Sequence, residues 1–168
     1  MQIHAYDQAE VVAGQGTLGR ELEEQTESDV VLVAVGGGGL IAGVASWLRD
    51  RAVVVAAESE LCQSLHASLA AGRRVEVEVG GVAASSLGAR TIGDHPWAAR
   101  HWIDESVIVS DEAITEAQRW LWSELRLAVE PAAATPLAAL RTGAYRPPAG
   151  ARVAVVLSGG NVDPATVV

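Results

Sequence analysis

Four consecutive glycines, Gly36 to Gly39, stand between the β-branched run Val30–Val35 and the helix-forming stretch Leu40–Arg49. Glycine lets the backbone turn sharply and expose its N–H groups, and a helix N-terminus adds partial positive charge. The segment therefore reads as an anion site that suits a phosphate. A tight turn alone needs fewer glycines, since each carries a conformational-entropy cost on folding. Which phosphate it suits stays open. Gly37, Gly39 and Ala42 fit the alanine-ended dinucleotide fingerprint, and Glu58 sits 21 residues beyond Gly37, where a ribose-binding acid would lie. The same spacing arises in any βαβ unit with a glycine run, and no hydride-transfer base is evident downstream. A second segment, Ser158-Gly159-Gly160-Asn161, closes another apolar run, Arg152–Leu157. Such strand ends line the ligand crevice of open α/β sheets, where Ser158 would offer a hydroxyl; a simple turn is the alternative reading.

The elements that must position these motifs alternate strand and helix. Val30–Val35 and Ala52–Ala57 are continuous apolar runs, as in parallel strands buried on both faces. Residues 60–71 read as a helix stopped by Gly72, and 75–93 as loop. Ser106–Val109 is a short strand, followed by a helix capped by Ser110 with Asp111 and Glu112 in its first turn. Pro131 opens a helix to about Arg141 in which Pro136 should cause a kink or restart. A helix opening near Thr17, with Leu18 and Leu22 on its apolar side, should cover the sheet. The pattern predicts a single α/β domain over residues 1–168, with an open, mainly parallel sheet covered by helices.

Composition narrows the function classes. The chain carries 12 basic and 21 acidic residues, a formal charge of −9, which argues against nucleic acid or an anionic membrane as partner. All 12 basic residues are arginine. No apolar stretch reaches membrane-spanning length, and the first residues lack a signal-peptide pattern, so a cytoplasmic location is expected. The single cysteine, Cys62, excludes an internal disulfide and a multi-cysteine metal cluster, and it reads as a small buried residue on a helix. His4, His66, His95 and His101 show no metal-ligand spacing. Trp120 and Trp122, two apart on one helix, should face different sides.

Five segments in order carry a resemblance. They are Val11-Val12-Ala13-Gly14-Gln15-Gly16-Thr17, Gly36 to Leu40, Gly81-Val82-Ala83, Val129-Glu130-Pro131 and Ser158-Gly159-Gly160-Asn161-Val162-Asp163. Together they resemble the fold-type II pyridoxal-phosphate enzymes, specifically the branch of threonine/serine dehydratases (threonine ammonia-lyases) and serine racemases. The resemblance implies the large-domain part of such an enzyme. It also implies that Gly36, Gly37, Gly38 and Gly39 hold the phosphate of pyridoxal phosphate, that Ser158 hydrogen-bonds its pyridine nitrogen, and that Glu130 lies near its ring. Glu130 also reads as a helix N-terminal acid ahead of Pro131. Gly81 matches a glycine whose backbone faces cofactor and substrate. Some relatives bind a divalent cation to which Glu58 would be a ligand. The second acidic ligand is Ser64 here, which weakens such a site, and a solvated strand-end acid is the plainer reading of Glu58.

The departure is the missing lysine. The family uses a lysine for the Schiff base with pyridoxal phosphate, and the resemblance places it in an N-terminal half that this sequence does not contain. The expectation is therefore a C-terminal half, inactive alone, of an enzyme that eliminates water from a small amino-acid substrate to give a 2-oxo acid and ammonia. Its partner would be the N-terminal half or further copies of itself, through apolar surface left exposed. A non-catalytic binding or assembly module and an NAD-dependent oxidoreductase domain are the alternatives.

Overall fold

The computed structural model describes residues 3–167. Four parallel strands form one open sheet in the order β3-β2-β1-β4, with β1 at Val30–Ala34, β2 at Val53–Ser59, β3 at Glu105–Val109 and β4 at Val153–Val155. Val30 pairs with Val53 on one side and with Val153 on the other. The continuous apolar runs split by the two-residue strand period. Val30, Leu32 and Ala34 join Val55, Ala57, Val107 and Val109 on one face of the sheet, whereas Val31, Val33 and Val35 join Val54 and Ala56 on the other.

Helices cover both faces. α6 (Asp111–Leu125) and α7 (Pro131–Thr142) bury Ile114, Ala117, Leu121 and the alanines Ala132–Ala134, Ala138 and Ala139 on the first face. α2 (Gly39–Leu48) lays Ile41, Val44, Ala45 and Leu48 on the second, joined by Leu65 of α3 (Ser64–Ala71). α1 (Ala9–Gln25) opens eight residues before the expected start and packs across α2 rather than directly on the sheet, reaching the core beneath through Leu18 and Leu22. Its glycines read as breakers in sequence, but they are where the two helices cross. A Cβ on Gly43 would stand 2.5 Å from the Gly16 nitrogen and 2.5 Å from the Val12 oxygen.

Other departures are local. Pro136 does not restart α7, which runs unbroken to Thr142 and buries Pro136 with its alanine face. Packing outweighs the lost backbone bond there. α3 begins at Ser64 because Glu60–Gln63 form a turn, where Cys62 is buried off the helix. β4 stops at Val155, short of Leu157. Two short helices, α4 (Ala84–Leu87) and α5 (Asp94–Ala99), interrupt and follow the segment read as loop. Ser110 caps α6 as expected, accepting from the Ala113 N–H at 3.3 Å. No described helix is long and apolar enough to cross a membrane.

Candidate functional site

β1, β2 and β3 are added in one direction across the sheet, and β4 then returns to the far side of β1. The order therefore reverses between β1 and β4, and open α/β sheets bind ligands outside the strand carboxyl ends at such a switch point. A cavity of about 460 Å³ lies there. It is lined by Gly36–Gly39 from the end of β1, Ser158 from beyond β4, and Glu130 from the residue before α7. Three motifs far apart in sequence thus meet in one hollow.

Its floor is a set of free amides. Among the described residues, the N–H groups of Gly36, Gly37, Gly38 and Gly39 have no hydrogen-bond acceptor, while the carbonyls of Gly37 and Gly38 accept from Gly93 and Ala42. Gly38 is left-handed at φ +92°, which glycine adopts without strain. Unpaired amides at the start of a ten-residue helix, on residues that carry no side chain of their own, suit a phosphate. On the far wall the Glu130 N–H donates to the Gly159 carbonyl at 3.1 Å. Ser158 is exposed, and its hydroxyl has no protein partner among the described residues. A phosphate loop, a free hydroxyl and a carboxylate around one hollow fit a phosphorylated, flat, polar-edged group.

Sequence reasoning missed Tyr6, Gln15 and Ser86, which also line the hollow. A Cβ on Gly37 would overlap the Tyr6 ring, so the first described residues lie against the loop. The His4 ring accepts from the Asp7 N–H at 2.9 Å, and Asp7 accepts from Asp94 and His95 at the start of α5. Burial works against the Asp7 carboxylate, but those amide donors and His95 hold it below its usual range. The local signal was a His-x-Tyr-Asp turn, legible only once its neighbours are known.

Gly81 does not line this hollow. It is left-handed at φ +71°, and a Cβ there would overlap the carboxylate of Asp111, which accepts from Val82 N–H and Ser59 hydroxyl at 2.8 Å each. Cys62 adds a bond from its thiol to the Gly80 carbonyl at 3.3 Å, and burial pushes that thiol up.

Glu58 is neither solvated nor aimed at the cavity. It is fully buried, and its two oxygens accept from the Leu65 and His66 N–H groups at 2.9 and 2.7 Å. Ser64 spends its hydroxyl on the Gly36 carbonyl at 2.9 Å. A divalent cation needs carboxylate oxygens that are free to face it, and this donor set does not fit one. Among the described residues there is no group of three or more His, Cys, Asp or Glu placed to hold a metal. The same engagement removes Glu58 as a ribose-binding acid. A larger hollow, about 680 Å³, lies between α1, α2 and α5 against Val12, Trp47 and Trp102; it takes in part of the Val11–Thr17 segment but none of Gly36–Gly39, Glu130 and Ser158.

The family profile described as "Pyridoxal-phosphate dependent enzyme" matches residues 1–159. A β-hydroxyaspartate dehydratase of Paracoccus denitrificans is 35% identical, with 96% of this chain aligned to 52% of the relative. An L-threonine ammonia-lyase of Geobacter sulfurreducens is 38% identical over 98% of this chain and 42% of its own. The structure of maize serine racemase superposes with a TM-score of 0.89 at 32% identity, covering 98% of this chain and 53% of that one. The chain spans about half the length of the curated relatives it matches.

Proposed function

The chain belongs to the pyridoxal-phosphate dependent enzyme family, in its threonine dehydratase and serine racemase branch, and on that premise we propose that it is the cofactor-phosphate half of a threonine/serine dehydratase. The reaction would remove water from L-threonine or L-serine and release a 2-oxo acid and ammonia. The observation that carries the reading is the convergence of Gly36–Gly39, Glu130 and Ser158 on one cavity at the switch point of the sheet.

Bound pyridoxal phosphate supplies the electron sink for the electrons left when a bond to the amino acid's Cα breaks. The residues of this chain would do the holding. The unpaired amides of Gly36–Gly39 bind the phosphate with the partial positive charge of α2 behind them. Ser158 Oγ donates to the pyridine nitrogen, and a hydroxyl leaves that nitrogen without a full proton, unlike a carboxylate partner. Glu130 stands at the cavity wall, where it would lie near the ring. With no lysine among the 168 residues, the base for the Cα proton would come from polypeptide outside them.

The test is complementation. The chain is purified alone and together with a lysine-bearing N-terminal half of a relative, and ammonia release from L-threonine and L-serine is followed. Release from the pair and none from the chain alone is the expected result. A well-folded pair that stays inactive on both, or a chain that binds NAD and ignores pyridoxal phosphate, would sink the reading.

A further inference from the structure

Ser64 is the first residue of α3 and is fully buried, and its hydroxyl donates to the Gly36 carbonyl at 2.9 Å. The bond ties the helix that follows β2 to the loop that follows β1. Ser64 is not among the residues that line the switch-point cavity, so the Gly36 carbonyl turns away from that cavity. In a planar trans peptide the C=O and the next N–H point in opposite directions. Holding the Gly36 carbonyl on Ser64 therefore turns the Gly37 N–H away from Ser64, and Gly37 is one of the residues that line the cavity.

Ser64 and the helix turn it opens are held by two further residues, Glu58 and Ser68. Glu58 accepts from the two amides that follow it, Leu65 and His66. Ser68 donates its hydroxyl to the Ser64 carbonyl at 2.7 Å and accepts from the Val75 N–H at 3.1 Å. A carboxylate in place of Ser64 would have no proton to give and would face the Gly36 carbonyl as a second acceptor.

We propose that Ser64 is a positioning residue of the phosphate loop, locking the Gly36–Gly37 peptide so that the Gly37 N–H is presented to the cofactor's phosphate. This rests on reading the glycine loop as the phosphate site. A peptide free to flip would set its carbonyl's partial negative charge against the phosphate instead.

The experiment titrates the 168-residue chain by calorimetry with pyridoxal phosphate and with pyridoxal, which lacks the phosphate. Wild type, Ser64→Ala and Ser64→Thr are compared. Ser64→Ala should weaken pyridoxal phosphate about tenfold and leave pyridoxal unchanged, whereas Ser64→Thr, which keeps the hydroxyl, should restore the preference. In the wild type, titration with inorganic phosphate should move the Gly37 amide proton resonance downfield, a readout that needs no variant. Equal phosphate preference in wild type and a folded Ser64→Ala, or a silent Gly37 amide beside responding neighbours, overturns the role of Ser64 alone. Absence of any phosphate preference in the wild type, with no loop amide responding, overturns the phosphate site and this role together.

Discussion

The backbone N–H of Glu130 donates to the carbonyl of Gly159 at 3.1 Å, so the residue before α7 and the loop after β4 form one ledge over the cavity. A Cβ on Gly159 would overlap the Glu130 carboxyl group. The missing side chain is what lets these two motifs share one wall.

Gly159→Ala should therefore act on Glu130 before it acts on the fold. The atoms it meets are the far end of a side chain that can swing aside, so the cost in urea denaturation should stay within about 1 kcal/mol. The displaced carboxylate should nonetheless lower pyridoxal phosphate affinity by calorimetry. An unchanged affinity would show that Glu130 does not depend on Gly159 for its position.

The two glycines Gly43 and Gly14 should respond in opposite directions. A Cβ on Gly43 meets backbone of α1 that cannot step aside, so Gly43→Ala should cost about 2–3 kcal/mol or more as the helices are forced apart. Gly14 lies inside α1 with nothing within 4 Å of an added Cβ. Gly14→Ala should stabilise the chain by about 0.5–1 kcal/mol through the entropy of the unfolded chain and helix propensity. Denaturant midpoints of the two variants measured side by side check both signs.

This contrast also marks the limit of what was legible. The strands, the helices α2, α3, α6 and α7 and the place of the glycine loop follow from apolar runs and punctuation, because strands buried on both faces leave a continuous signature. The short α4 and α5 did not show. The start of α1 did not, because a glycine that lets helices touch and a glycine that ends a helix look alike in one sequence. Pro136 misled for the same kind of reason, since only the alanine face packed on the sheet offsets its lost N–H bond. Glu58 was misplaced because an acid at a strand end is ordinarily solvated. Nothing local announces that the first turn of α3 folds back to cover it.

Gly81 should tolerate no side chain. Its φ of +71° is costly for any L-residue, and the carboxylate of Asp111 occupies the space a Cβ would need. Gly81→Ala should lower stability by about 1–3 kcal/mol, and hydrogen exchange should quicken at Val82, whose N–H donates to Asp111 at 2.8 Å. Val82 exchange unchanged from the wild type would mean that Asp111 does not hold this loop.

Glu58 should make the fold less stable as pH rises. Burial raises its carboxyl from the ordinary 4.5 to about 8, against the pull of the Leu65 and His66 amides. Between those two values the folded chain keeps a proton that the unfolded chain releases. The folded state thus binds more protons, and stability falls as pH climbs through that window. One such group gives a slope of at most about 1.4 kcal/mol per pH unit. The contribution is fully present below pH 4.5 and is exhausted above pH 8. Glu58→Gln cannot ionise and retains one carbonyl to accept from the start of α3, so its stability should run flatter than the wild type across the same interval. Urea denaturation of both proteins at half-unit steps from pH 5 to pH 8 measures the slopes. Parallel curves would show that Glu58 stays ionised in its buried place, with the two amides and the α3 dipole outweighing its desolvation.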